Sequence, residues 1–388
     1  MIETVFWGAL IILLYAYLGY PLLIGALAWF FPRQVRRGPY EPRVAVVIVA
    51  YNEAARIGRK LDTCIGLNYP GDKLRIIVAS DGSDDGTNEI VSAHADSRVT
   101  LLAFPQRRGK AACLNDAIAA TEEDIVVLTD ARQRFDAQAI RHLAENFADP
   151  EVGAVSGELV FETDGVTEFG EGVDAYWRYE KFIRKQESRW HSVVGVTGAL
   201  YALRRECFRR IPEDTILDDV VIPMDVVMAG SRVVFEGRAK VYDLPSHDHR
   251  QERLRKVRTL AGNFQLIAAQ SRLFNPLCNP IFLQLVSHKI LRLLGPYLMA
   301  TLLITNLILF DQAAVFQYFL AVQLFGYALA VGGVVWPYFN KWRAVKLAST
   351  FLLLNWFAVL GLSEYLRNRN AHLWNSGKMA SSRNTQAR

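Results

Sequence analysis

Cysteine is scarce in this chain. Cys64, Cys113, Cys207 and Cys278 are its only four in 388 residues, and no two form a CxxC pair. That spacing excludes a disulfide framework or a cysteine zinc site and suits small buried hydrophobes in a reducing compartment. The seven histidines are scattered too. His247 and His249 bracket Asp248 in "SHDH", but no third ligand follows, so the stretch reads as a loop. Charge of one sign is also lacking: 44 Lys and Arg against 39 Asp and Glu leave +5, which offers nucleic acid no natural surface. A cleavable signal is a poor reading of the first apolar run, which is too long, has no basic region before it and no small-residue site after it.

What the chain does have is long apolar runs, concentrated in residues 4–31 and again from about 281 to 366. The first run, Thr4 to Phe31, holds 28 uncharged residues, where a spanning helix needs about 20. Pro21 inside it kinks a membrane helix without forbidding it. Arg33, Arg36, Arg37 and Arg43 follow, which by the positive-inside rule puts the N-terminus outside and the next domain in the cytoplasm. Residues 276–292 carry Lys289 and Arg292 among apolar neighbours and read as an interfacial helix. Residues 293–366 divide into about three crossings, 293–310, 313–336 and 347–366, followed by a basic tail, 367–388. Three crossings would carry that basic tail outside, against the charge rule, so either the tail breaks the rule or one segment does not cross. The expectation is a multi-pass protein of the inner cell membrane, with anionic lipid beside its basic flanks.

Between these regions "VAVVIVA" (44–50), "LRIIVAS" (74–80), "RVTLLAF" (98–104) and "DIVVLTD" (124–130) are near-continuous apolar runs, the mark of parallel strands covered on both faces. Helical patterns alternate with them, so the expected fold is an α/β, doubly wound, mostly parallel sheet. Such sheets bind ligands beyond the C-terminal ends of their strands. Asn52 and Glu53 follow the first strand, Asp81, Asp84 and Asp85 the second, Arg107, Arg108 and Lys110 the third, and Asp130 the fourth. Each alone reads equally well as a cap or turn residue. Together they suit a base, a ribose and a diphosphate with its cation.

The blocks "VAYNEAARIGRKLDTCIGLNYP", "IIVASDGSDDGT", "RRGKAACLNDAI", "VVLTDARQRF" and "GVTGALYALRREC…ILDDVVIPMDVVMAGSRVVFE" resemble, in order, those of family 2 glycosyltransferases with a GT-A fold. The resemblance covers roughly residues 40–265, and membrane-embedded bacterial enzymes of polysaccharide synthesis are the nearest in kind. It implies that Asp81 binds the nucleotide with Asn52, Glu53 and Lys110 nearby, and that Asp130 is the first acid of the metal-binding DxD motif, with Mg²⁺ or Mn²⁺ as cofactor. It implies further that Asp219 is the catalytic base, and that the stretch around Gly198, with Asp218, lines the donor and acceptor pocket.

The partners so implied are a nucleotide-sugar donor, most simply UDP-linked, a saccharide or lipid-linked acceptor, membrane lipids, and export proteins that could add helices to the few present here. One displacement at the anomeric carbon, with a carboxylate taking the acceptor proton, would invert the centre. Two departures stand out. In "DAR" the second DxD acid is Arg132, which cannot ligate and would pair with phosphate or with Asp136. In "QERLRKVRTLAGNFQ" Arg255 and Arg258 remain to contact the diphosphate, but Thr259 stands where processive enzymes carry a tryptophan, which puts processivity in doubt; the same basic helix suits anionic lipid. The aromatics Tyr176, Trp177 and Trp190 suit either a sugar or the membrane surface. Two other classes compete: an NDP-sugar nucleotidyltransferase, which would need a glycine-rich phosphate loop that is absent, and a non-catalytic membrane scaffold retaining the fold.

Overall fold

The computed structural model describes residues 1–162, 170–244, 249–368 and 371–373; Ser246, His247 and Asp248 of "SHDH" and most of the basic tail fall outside them. The alternating apolar runs form strands β1 (Val44–Ala50), β2 (Leu74–Asp81), β3 (Val99–Phe104), β4 (Ile125–Asp130), β5 (Arg134–Phe135), β6 (Val152–Phe161), β7 (Tyr201–Arg204) and β8 (Arg232–Asp243). They make one eight-stranded sheet in the order β3-β2-β1-β4-β7-β6-β8-β5. The pairs among β1, β2, β3 and β4 are parallel, and β7 runs antiparallel to both of its neighbours.

Both faces are covered. Ala45 and Val47 of β1 enter one apolar core, while Val44, Val46, Ile48 and Ala50 enter the other. That two-sided burial is why β1 reads as an unbroken apolar run. The register levels the strand ends: Val49 pairs with Asp130, Ala50 with Ser80, and Asp81 with Phe104. Four loops, those after β1, β2, β3 and β4, therefore leave the sheet at one edge. Because β7 is antiparallel and begins with Tyr201 opposite Leu128, the loop that enters it lies at that same edge, where Thr129 Oγ1 donates to the Ala199 carbonyl at 2.7 Å.

The N-terminal apolar run is a helix, Ile2–Phe30, with a π turn at Tyr15–Gly19 just before Pro21. Proline has no N–H to return to the Tyr17 carbonyl, and the Tyr179 hydroxyl donates there at 2.8 Å. The arginines that follow are not free topology markers. Arg33 reaches Glu151 at 3.0 Å and Arg37 reaches Glu236 at 3.2 Å, so they dock the helix exit onto the α/β domain.

Three described helices are long and apolar enough to cross a membrane: Ile2–Phe30, Ala314–Val335 and Arg343–Arg367. Residues 293–310 do not make a straight span; Gly295–Ile308 is bent by 59° against Phe282–Leu293. At 1.5 Å per residue, roughly 20 Å of helix falls short of a ~30 Å hydrocarbon core. Lys289 and Arg292 turn into the protein, one lining a cleft and the other pairing with Glu180, instead of facing lipid.

The last helix lies on helix His249–Ala269. A Cβ at Gly361 would stand 2.7 Å from Leu260 Cβ and 3.1 Å from the Ala261 nitrogen, so only glycine permits this approach. Gly361→Leu is expected to cost about 1–3 kcal/mol of stability by overpacking, read as a lowered Tm in detergent. Beyond this helix, Ala371 accepts from Arg258 Nε at 3.2 Å and His372 lies over Gly109, so the chain returns to the α/β domain.

Candidate active site

A cleft of ≈ 1330 Å³ opens along the shared strand edge and runs on to the long apolar helices. Glu53, Asp81, Lys110, Asp130, Gly198, Asp218, Asp219, Arg255 and Arg258 all line it. Asn52 does not. Held at φ 54°, it exchanges side-chain bonds with Asp84, donating at 2.7 Å and accepting from the Asp84 amide at 3.0 Å. Asp85 likewise ties loops together, accepting from the amides of Ala54 and Thr87. Of the "DGSDDGT" acids, then, two are turn residues and one, Asp81, faces the cleft.

Asp81 organises as well as lines. Its two carboxylate oxygens accept from the Arg108 and Gly109 amides at 2.7 and 2.9 Å. Gly109 sits at φ 97°, in the left-handed region glycine tolerates, and this turn starts the helix Lys110–Ala119. Lys110 is thereby aimed across the sheet edge. Its Nζ lies 3.2 Å from Asp130 Oδ1 and 3.3 Å from Asp218 Oδ2. Burial disfavours the ammonium, but Asp130, Asp218 and Asp219 outweigh it and raise its pKa. Burial likewise works against the Asp130 carboxylate, yet Lys110 and Arg132 hold it below the usual range, so it is ionised at neutral pH. Glu53, mostly buried, pairs with Arg56 at 2.9 Å.

Asp218 and Asp219 open the helix Asp218–Met228. Pro223 lies inside it, and its missing N–H leaves the Asp219 carbonyl without the usual helical donor. The Val196 amide fills that place at 2.9 Å, fastening the loop before β7 to Asp219. Asp218 is buried and held by Lys110, whereas Asp219 is half-buried in the cleft. Burial and the neighbouring Asp218 push Asp219 up to about 6, against the pull of Lys110, Lys289 and Arg184. A carboxylate in that range is a stronger proton acceptor than an ordinary aspartate and is still ionised at pH 7.

Gly198 is where this loop faces the Asp219 carboxylate. A Cβ there would stand 3.3 Å from Asp219 Oδ2. Gly198→Ala is therefore expected to shift the carboxylate by a few tenths of an ångström and to lower kcat about 10-fold while leaving Tm nearly unchanged. Unaltered turnover in a steady-state assay would mean that the Asp219 position is not critical.

Arg132 pairs with Asp243 at 3.6 Å and not with Asp136, which instead accepts from the Tyr242 hydroxyl at 3.2 Å. Asp243 ends β8 and lines the same cleft, a residue that sequence reasoning missed. The one available signal was an apolar strand ending in aspartate, "KVYD", just as in β4. Tyr176 and Trp177 line the cleft, but Trp190 packs with Tyr20, Ile24 and Ile183 as a structural residue.

Among the described residues no three His, Cys, Asp or Glu side chains gather as a protein-only metal centre. A cation at Asp130 would therefore depend on ligand oxygens and water, which suits Mg²⁺ or Mn²⁺. The ionised, half-exposed Asp130 fits that role; Arg132 does not.

The sheet order, with parallel strands followed by an antiparallel return and a ligand cleft at the strand edge, is a GT-A fold. A mannosyltransferase from Pyrobaculum calidifontis, solved with GDP-Man and Mn²⁺, superposes with a TM-score of 0.70 at 25% identity, covering 95% of this chain and 99% of that one. Residues 45–211 match the model of Glycosyl transferase family 2. A β-monoglucosyldiacylglycerol synthase of Synechocystis is 26% identical over 47% of this chain and 39% of its own length. A poly-β-1,6-N-acetyl-D-glucosamine synthase of Staphylococcus aureus is 24% identical over 57% of each. The chain thus spans about half the length of these relatives.

Proposed function

We propose that the protein is an inverting, metal-assisted glycosyltransferase, moving a sugar from a nucleotide-sugar donor to a saccharide or lipid-linked acceptor at the cytoplasmic membrane face. The observation that carries this reading is Lys110, which stands between Asp130 and Asp218 with Asp219 next in the chain. One charged group thereby joins a diphosphate end of the cleft to a base end.

In the proposed step the acceptor oxygen bonds to the anomeric carbon as the bond to the diphosphate breaks. Asp219 takes the hydroxyl proton, and the nucleoside diphosphate leaves toward Lys110, Arg255 and Arg258. A divalent cation held at Asp130 would neutralise charge on that leaving group. Asp218 is engaged by Lys110 and so is poorly placed as a covalent nucleophile, which favours a single inverting displacement. Glu53 and Asp81 remain the proposed nucleotide-binding pair. Asn52 contributes by bracing the loop beside them.

The contacts of Ala371 with Arg258 and of His372 with Gly109 favour an even number of crossings after the α/β domain. An even number would agree with the positive-inside rule for the basic tail.

UDP is the donor nucleotide proposed. GDP is the second reading, because the Pyrobaculum mannosyltransferase was solved with GDP-Man. Purified protein in detergent would be assayed for donor hydrolysis and transfer across UDP-, GDP- and dTDP-sugars, with a total lipid extract as acceptor and with Mg²⁺, Mn²⁺ or chelator. A metal-dependent signal from one UDP-sugar is expected. Silence from every donor would overturn the catalytic reading and favour a scaffold.

A further inference from the structure

Two cations face the Asp219 end of the cleft without a carboxylate of their own. Arg184 comes from helix Gly170–Trp190 and Lys289 from the π turn Leu285–Ile290; both line the cleft and both are half-buried. Among the described residues neither has a carboxylate at ion-pair distance, although acids are close by. Glu180 and one oxygen of Glu187 are engaged elsewhere. Glu180 is paired with His288, at 2.9 Å, and with Arg292. Glu187 Oε1 accepts from the Tyr20 hydroxyl at 2.6 Å and lies 2.8 Å from His288 Nδ1. This buried network clamps the π turn against the N-terminal helix, and the Lys289 stem packs near Gly195 in the loop fastened to Asp219. Two such half-buried positive charges make an anion site.

The site is separate from the diphosphate end. Lys110 stands on the sheet edge between Asp130 and Asp218, whereas Arg184 and Lys289 arrive from the elements that face the membrane helices. From there the cleft continues between the first and last helices. Its far rim includes Leu18, Leu347 and Phe351, which are 62%, 52% and 36% exposed. Both helices are long and apolar enough to cross a membrane, so an exposed apolar rim on them favours an apolar chain.

We propose that the acceptor is a lipid-linked sugar whose phosphate or diphosphate sits on Arg184 and Lys289, with its chain leaving past Leu18 and Phe351. The inference rests on the proposed glycosyl transfer and specifies its acceptor. The sugar hydroxyl then lies at Asp219 and loses its proton there as its oxygen bonds to the donor's anomeric carbon, releasing nucleoside diphosphate. A neutral glycolipid would leave both cations with only the Asp219 carboxylate to face, and a free oligosaccharide would leave the apolar end empty.

The test uses the full chain in nanodiscs at pH 8, above the value of about 6 to which Asp219 is raised, and the donor found by the hydrolysis assay. Three acceptors are compared: a polyisoprenyl-diphosphate-linked sugar, the same sugar on a neutral alkyl chain, and the soluble sugar phosphate. Transfer to the first is expected to dominate. Arg184→Gln and Lys289→Gln should each raise the KM for that acceptor at least tenfold with less than a twofold change in donor KM, and Lys289→Arg should restore most of the loss. Equal use of the neutral glycolipid would overturn the anion site. Equal use of the soluble sugar phosphate would overturn the apolar chain, and a matching rise in donor KM would assign the cations to the donor. Donor hydrolysis by the wild-type protein separates these outcomes from failure of the glycosyltransferase reading itself.

Discussion

Asp219→Asn is expected to lower sugar transfer by about 10²–10⁴-fold, the contribution of a positioned general base, while donor affinity changes little. The amide keeps the shape of the side chain and its place on the helix but cannot accept the proton. Wild-type kcat/KM should fall as pH drops through about 6, because the Asp219 carboxyl is raised to that value by burial and by Asp218. Below it the base is protonated. Stability should move the other way. The folded carboxyl titrates at about 6, against an ordinary value of 3.8, so the native state holds a proton that the unfolded chain has released. That stabilisation is complete below pH 3.8 and is lost as pH rises through 6. The variant should therefore melt at a higher temperature than wild type at pH 7.5, with the difference vanishing near pH 4. Transfer by Asp219→Asn at a tenth of the wild-type rate or more would remove this residue from the base role.

The second large effect concerns the cation. Chelation and Asp130→Asn are each expected to reduce transfer about 10²-fold, the scale of losing one electrostatic stabiliser of a leaving group. The physical ground is that Asp130 is ionised beside Lys110 and partly open to the cleft, so it can accept a cation only when diphosphate oxygens complete the shell. Manganese should accordingly tighten nucleoside diphosphate binding to wild type, by calorimetry, and do so far less for Asp130→Asn. Transfer that survives chelation undiminished would shift the whole burden of the leaving charge to Lys110, Arg255 and Arg258. That outcome has a stated structural cause ready, since Arg132 occupies the place of a second acid and is neutralised by Asp243.

Much of this site was legible in the residues. The four apolar runs announced the parallel strands to within a residue, because strands buried on both faces must be apolar along their whole length. A polar residue ending such a run lies at the ligand edge of the sheet, so Asp81 and Asp130 could be named in advance. Asn52 illustrates the limit. It stands in the same loop position as Glu53, but one side chain turns back to Asp84 and the other lines the cleft, a choice made by a neighbouring loop thirty residues away. Asp243 was missed for the converse reason: its strand joins the sheet at the far side of β7, and only that pairing brings its end beside Arg132. The arginines after the first helix also changed meaning, since the acids they dock on, Glu151 and Glu236, are distant in sequence.

The two prolines mark the division most clearly. By itself the sequence determined that Pro21 and Pro223 would each withhold an N–H from the carbonyl one turn back, because that follows from the ring alone. It likewise determined where apolar surface must be buried and which strand ends carry acids. Only the tertiary structure decided that the Tyr179 hydroxyl would satisfy Tyr17 and the Val196 amide would satisfy Asp219. It also decided that Asp218 would be spent on Lys110 while Asp219 stayed in the cleft. The physical reason is range: backbone chemistry and hydrophobic period act over one helical turn or one strand, whereas the partner of a charge or an orphaned carbonyl is set by whichever distant element the fold packs against it.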